Sequence, residues 1–352
     1  MRQTFDAAII FQSLRRRVYD TAAAGVLLGL VATSAANAGS AESASRPIEL
    51  PASVTTEANV PPPPGRLVDV GGYRLHLHCT GSGAPTVILE SGLGGFSLEW
   101  DAVQQQLSDS RRVCSYDRGG YGWSDPGPSP RTAEHLVSEL RTMLTTAAVP
   151  APYVLVGHSF GGFLAQLFAK TYPQLTAGIV LVDSSNPDQF RRFPPAQQAL
   201  LQQARGRRSG RGSEIELPSR YPLRWRAIAE VLDQQPKTLL AVALEYRAFE
   251  RSGAQVLAAG AMPDIPGVVL TRGDREWPAG ADGDAMEALW PQLQDELAAS
   301  LPHSHHFNVG GSGHHIHLDK PAVVDEAVNL VIEEIDCAPT RIANVDGAIG
   351  HC

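Results

Sequence analysis

The segment Tyr153-Val154-Leu155-Val156-Gly157-His158-Ser159-Phe160-Gly161-Gly162 narrows the folds open to this chain more than any other. A short apolar, β-branched run ends in Gly-x-Ser-x-Gly, and a helical period begins at Phe160, which predicts a buried strand turning sharply into a helix. A serine on such a turn sits in strained backbone, and glycines two residues before and after it remove side chains that would clash. The turn also aims backbone N–H groups and a helix N-terminus at the point where an oxyanion develops in acyl transfer. Gly-x-Ser-x-Gly alone is a weak pattern. Between a strand and a helix it makes Ser159 the candidate nucleophile.

A serine hydroxyl needs a base to take its proton. His314 meets that need, because it follows the glycine turn Gly311-Ser312-Gly313 directly after an expected last strand, His305–Val309. His315 and His317 read as packing or surface residues, and Asp319 as the cap of a helix starting near Lys320-Pro321. The imidazole in turn needs an orienting carboxylate. Asp274 follows the expected strand Gly267–Thr271 and lies in the chain order Ser, acid, His. Asp183, ending the expected strand Gly178–Asp183, is the alternative acid, whereas Asp282 and Asp284 open a helix. Six histidines between His303 and His317 raise the question of a metal. They lack the helical spacing or carboxylate partners of a zinc site, so no metal and no cofactor is expected.

Around these residues the chain alternates. Short apolar runs at Thr86–Glu90, Arg112–Tyr116, Tyr153–Gly157, Gly178–Asp183 and Gly267–Thr271 predict strands buried on both faces. Helical periods at Ala133–Ala147 and Phe160–Tyr172 separate them, which predicts a mostly parallel, doubly wound α/β sheet. An initial hairpin is expected where Gly71-Gly72 joins Arg66–Val70 to Tyr73–Cys79. Residues 186–262 break the alternation, with helical patterns at Pro195–Ala204, Trp225–Asp233 and Thr238–Phe249 and 12 basic against 7 acidic residues. They read as a helical cap inserted into the sheet domain, leaving a core of residues 66–185 and 263–337 and a tail of 338–352.

Four features together resemble the α/β-hydrolase family, in particular its serine esterase and lipase-like members. They are Ser91-Gly92-Leu93-Gly94-Gly95, Tyr116-Asp117-Arg118-Gly119-Gly120-Tyr121-Gly122-Trp123-Ser124, the serine elbow, and Ser312-Gly313-His314. The resemblance spans about residues 66–337 and implies a cap between the sixth and seventh strands. It also implies an oxyanion hole formed by the backbone N–H groups of Leu93 and Phe160, with Asp117 and Arg118 as a structural brace beneath that loop. Many members have His-Gly where this chain has Ser91-Gly92. Trp123, Trp277 and Trp290 could line an apolar pocket or simply fill the core. The implied activity is hydrolysis of a small-molecule or lipid-like carboxylic ester through an acyl-enzyme. Amidase, peptidase, carbon–carbon hydrolase and perhydrolase chemistry remain alternatives, as does a non-catalytic ligand-binding protein on the same scaffold. An elbow serine disfavours the dehalogenase and epoxide hydrolase chemistry that uses an aspartate there.

The N-terminus speaks to location. Arg15-Arg16-Arg17 precede an 11-residue apolar run, Ala22–Ala32, too short to span a bilayer. With Ala36-Asn37-Ala38 after it, this predicts a signal peptide of residues 1–38 and export to the periplasm or beyond, an uncleaved anchor being the alternative. A Pro-rich linker, residues 39–65, follows. The whole chain carries 29 Lys+Arg against 37 Asp+Glu, an acidic balance that argues against an extended nucleic-acid-binding surface. Export makes disulfides permissible. The strand order implied by the resemblance sets Cys79 beside Cys114, and Cys337 and Cys352 could close a C-terminal loop.

Overall fold

The computed structural model describes residues 60–195, 197–198 and 221–343; the expected signal peptide and most of the expected linker lie outside them. Eight strands form one sheet in the order β1-β2-β4-β3-β5-β6-β7-β8. They are β1 (Arg66–Asp69), β2 (Arg74–Thr80), β3 (Thr86–Glu90), β4 (Val113–Tyr116), β5 (Tyr153–His158), β6 (Thr176–Val182), β7 (Pro266–Arg272) and β8 (His303–Val309). Only β2 runs against the others. The β1–β2 turn places Gly71 and Gly72 at φ values of 114° and 100°, conformations open to glycine, and Asp69 Oδ1 accepts both their N–H groups.

Strand alternation divides the core into two layers. Val87, Leu89, Val154, Val156, Val180, Val182, Val268 and Leu270 face the cluster that holds Val103 and Leu107 of α1 (Asp101–Ser108) and Val324, Val328 and Val331 of α9 (Pro321–Ala343). Ile88, Leu155, Ile179, Leu181 and Val269 face the opposite cluster, which holds α2 (Ala133–Thr146) and α3 (Phe160–Thr171). Each such side chain contributes roughly 1.5–3 kcal/mol when taken out of water. α9 runs on to Ala343, beyond the expected start of a tail at residue 338.

Between β6 and β7 the chain forms α4 (Gln189–Arg192), α5 (Arg226–Asp233) and α6 (Pro236–Ala258); most of the expected helix Pro195–Ala204 lies outside the described residues. α6 buries Thr238, Ala241, Glu245, Phe249, Ser252 and Val256, a stripe at intervals of three and four residues. Phe249 and Val256 join the core layer of α2 and α3, which anchors this insertion to the sheet domain. α7 (Ala281–Ala299) precedes β8, and a short helix α8 (Ile316–Asp319) precedes α9. Among the described residues, no helix is long and apolar enough to cross a membrane.

Cys79 and Cys114 stand opposite each other in the β2–β4 ladder and form a disulfide across 35 residues. Cys337 is also disulfide-bonded, and Cys352, its expected partner, lies outside the described residues. In the chain-entropy view the 35-residue loop closed by Cys79 and Cys114 is worth about 4 kcal/mol. The Cys79→Ala/Cys114→Ala variant should therefore melt roughly 8–15 °C below the parent by calorimetry under non-reducing conditions. An unchanged melt would show that the cross-link adds nothing to stability.

Candidate active site

Ser159 occupies the turn between β5 and α3 with φ 51° and ψ −119°, a conformation costly for a residue with a side chain. Its neighbours hold it there. Ser159 N–H donates to Val182 O, and Ser159 O accepts from Gly162 and Ser185 N–H. The flanking glycines are required by contact: a Cβ on Gly157 would lie 2.6 Å from Gly161 O, and one on Gly161 would lie 2.4 Å from Glu90 O.

One strand over, Asp183 also has positive φ, 40°, and is fully buried. Its Oδ2 accepts from His314 Nδ1 at 2.6 Å and from an Arg272 terminal nitrogen at 3.2 Å. Its Oδ1 accepts from Trp290 Nε1 at 2.8 Å and from Arg272 N–H at 3.1 Å. Burial raises the Asp183 pKa, but the Arg272 charge and the His314 contact outweigh it and hold the carboxyl below its usual range. An ionised Asp183 places the proton on His314 Nδ1, leaving Nε2 as the basic nitrogen.

The structure departs from the expectation at Asp274. That side chain is exposed, its Oδ1 accepting from Gly311 N–H at 3.1 Å, while its own N–H donates to Ser312 O. Asp274 thus braces the glycine turn ahead of His314, and Asp183 contacts the imidazole. Asp319 differs too: it accepts from Gly313 N–H and the Ser312 hydroxyl rather than capping a helix. Glu276 accepts the His314 backbone N–H. His158, in the elbow itself, hydrogen-bonds through Nε2 to His314 O at 2.9 Å, and the two rings lie 4.6 Å apart. The His314 loop is thereby docked on the residue next to Ser159. Burial and the neighbouring His317, His314 and His315 push His158 well below the usual histidine pKa, so it is neutral. His317 is buried, stacked on Trp100 at 4.3 Å. Among the described residues, no group of His, Cys, Asp and Glu could hold a metal.

Leu93 lies in the loop after β3, and Phe160 is the first residue of α3, where a helix leaves N–H groups without a helical partner. The loop is clamped by Arg118, which donates to Ser91 O at 2.6 Å, to Gly92 O at 2.8 Å and to Glu90 Oε1 at 2.7 Å. Asp117 accepts from Ser97 N–H, Trp123 N–H and His76 Nδ1, each at 2.9 Å. Ser91 Oγ accepts from Trp100 Nε1 at 2.9 Å, bracing the loop where many family members carry histidine. Of the tryptophans, Trp290 donates to Asp183, Trp277 and Trp290 cover Arg272 at 4.3 and 4.8 Å, and Trp123 packs on His76 at 5.1 Å. Two recesses, of about 320 Å³ beside β2 and 430 Å³ along β8 and α9, are lined by neither Ser159 nor His314.

Trp290 reads from the sequence as pocket or core rather than as a carboxylate's partner, and Arg272, His158 and Glu245 carry no role there. Only Glu245 carried a readable signal, as the one carboxylate on the buried stripe of α6. The other three take their roles from which strand ends meet.

Glu90, at the end of β3, is fully buried, and burial raises its carboxyl to about 7 against the lowering effects of Arg118 and Tyr116. Its folded-state pKa thus exceeds its unfolded one. Its contribution to stability is complete below the unfolded carboxyl pKa of about 4.3 and declines as pH rises through the folded value. Glu90→Gln should flatten the fall in melting temperature between roughly pH 5 and 7.5. A parent protein with no decline attributable to Glu90 over that interval would contradict this.

Comparisons with known proteins agree with this architecture. Residues 77–327 match the model of the alpha/beta hydrolase family. The uncharacterized protein YqjL of Bacillus subtilis is 25% identical over 277 residues, 78% of this chain and 92% of its own. A probable transporter, efuK, of Hormonema carpetanum is 32% identical over 136 residues, so this chain spans only 20% of that relative. A thermophilic esterase from Thermogutta terrifontis superposes with a TM-score of 0.55 at 21% identity, over 75% of this chain and 94% of its own. A putative lipase from Acinetobacter baumannii does so with 0.57 at 20% identity, over 77% and 91%. On the extent of the family match and the eight-stranded sheet, the chain belongs to the α/β-hydrolase family.

Proposed function

We propose that this protein is an exported serine hydrolase that cleaves a carboxylic ester through an acyl-enzyme intermediate. The observation that carries the reading is the Asp183–His314 hydrogen bond at 2.6 Å, on a loop docked by His158 beside the strained Ser159. His314 Nε2 takes the Ser159 hydroxyl proton as Oγ attacks the ester carbonyl carbon. The carbonyl oxygen becomes an oxyanion held by the Leu93 and Phe160 N–H groups. Collapse expels the alcohol, which takes the proton from His314. Water then yields a proton to His314 and attacks the acyl carbon, releasing the acid and restoring Ser159. Asp183 orients the imidazole and offsets its charge in both halves.

The esterase and lipase among the structural neighbours support an ester as substrate, and the insertion between β6 and β7 is the candidate cap that shapes its pocket. Aromatic side chains of α4 and α6 pack beside Phe160: Phe249 lies 5.3 Å from it, and Phe190 lies 4.7 Å from Phe249. The signal peptide expected from the sequence and the Cys79–Cys114 disulfide support export.

Ser159→Ala should lower hydrolysis of short p-nitrophenyl esters at least 10³-fold with little change in melting temperature. A fluorophosphonate probe should label the parent at Ser159; failure to label would favour a binding protein on the same scaffold. Asp183→Asn should cost roughly 10³–10⁴-fold in kcat, as expected when a buried orienting acid is neutralised. Asp274→Asn should stay within about fivefold, because its side chain only braces a turn. A larger loss at Asp274 than at Asp183 would overturn the assignment of the acid.

A further inference from the structure

The insertion reaches the floor of the candidate oxyanion loop through one side chain. Glu245, near the middle of α6, is fully buried and meets two arginines of the sheet domain. Arg118 donates to it at 3.0 and 3.3 Å, Arg131 at 2.7 and 3.1 Å, and the Tyr121 hydroxyl at 2.8 Å.

The five N–H groups of Arg118 match the five contacts it makes: two to Glu245, one to Glu90, one to Ser91 O and one to Gly92 O. A guanidinium is planar and rigid, so contacts on one edge set the position of the other. Gly92 C=O and Leu93 N–H belong to the same trans peptide and point in opposite directions. Holding Gly92 O on Arg118 therefore turns Leu93 N–H away from Arg118, and Gly92 itself adjoins the elbow, where an added Cβ would lie 3.2 Å from Ser159 Cβ. Gly161, two residues after Ser159, abuts this loop, with Ser91 O only 2.6 Å from where its Cβ would stand.

We propose that Glu245 is a positioning residue for oxyanion stabilisation. By fixing Arg118 it fixes the Gly92–Leu93 peptide, so that docking of the insertion and alignment of the oxyanion donor are a single event. The inference rests on Ser159 acting as the acylated nucleophile, and it adds a role for a residue that touches no substrate. In Glu245→Gln the side chain keeps its size, but one carboxylate oxygen becomes an N–H₂ donor facing two arginines. Arg118 then keeps at most one of its two contacts to residue 245, together with Glu90.

The test compares full-length parent and Glu245→Gln after active-site titration with a fluorophosphonate, so that rates are expressed per reactive serine. The expected result is a kcat lower by roughly 10–100-fold with KM within about threefold, as for loss of an interaction made mainly in the transition state. A trifluoromethyl ketone, whose adduct with serine places an oxyanion in the hole, should bind weaker by the same factor. The matching methyl ketone, which forms no such adduct in quantity, should bind equally well to both proteins. A kcat within twofold of the parent, or equal loss of affinity for both ketones, overturns the proposal. Should Glu245→Gln fail to fold, Glu245→Asp keeps the charge and shortens the arm, and the same ketone comparison decides. A parent protein that fails to label at Ser159 would overturn the underlying reading instead.

Discussion

The backbone at Ser159 is the constraint on which the site depends. A serine at φ 51° costs on the order of 1–3 kcal/mol and persists only where its surroundings over-determine it. Here the surroundings are the ends of parallel strands. β6 supplies Val182 O to the Ser159 N–H, the segment after β6 supplies the Ser185 N–H to its carbonyl, and the loop after β3 packs against Gly161. A change that shifts one strand end relative to the next would release the turn. The apolar layers on both faces of the sheet prevent that shift, so the core's contribution to chemistry is the fixed spacing of β3, β5, β6 and β7.

Much of this was legible because parallel strands buried on both faces leave continuous apolar runs, and the elbow leaves glycines at set offsets. The elbow turn at Ser159, the hairpin at Gly71-Gly72 and the central strands of the sheet were readable on those terms. Which carboxylate meets His314 was not. Asp183 and Asp274 each follow or end an apolar run, and both fit the chain order Ser, acid, His. The deciding facts are the positive φ at Asp183, which turns its carboxylate toward the His314 loop, and the Arg272 and Trp290 groups that hold it. Neither leaves a periodic trace, because both depend on β7 and α7 meeting the end of β6. Glu245 is intermediate: a lone carboxylate on an apolar stripe signals a buried partner, but not which one.

Buried charge is handled by pairing throughout. Glu245 faces Arg118 and Arg131, Asp183 faces Arg272 and His314, and Asp117 faces His76. Such pairs contribute little net stability compared with well-packed apolar groups, since desolvation offsets much of their attraction. What they supply is position. A guanidinium saturated by five acceptors has one orientation, and it imposes that orientation on the carbonyls it holds.

Arg272 illustrates why the carboxylate that meets His314 lies at the end of β6 rather than β7. The β7 end carries a guanidinium that lies against the Trp277 and Trp290 rings and donates to both Asp183 and Glu287. A carboxylate placed there would have to displace that stack and abandon a buried cation. With Arg272 in place, the same cation instead holds Asp183 ionised on the neighbouring strand, so the Nδ1 proton of His314 faces a full negative charge. Asp274, one turn beyond Arg272, is left to secure Gly311 and so the approach of the His314 loop. Which carboxylate meets His314 follows from where the sheet can bury a cation, and chain order, which both aspartates satisfy, cannot reveal that.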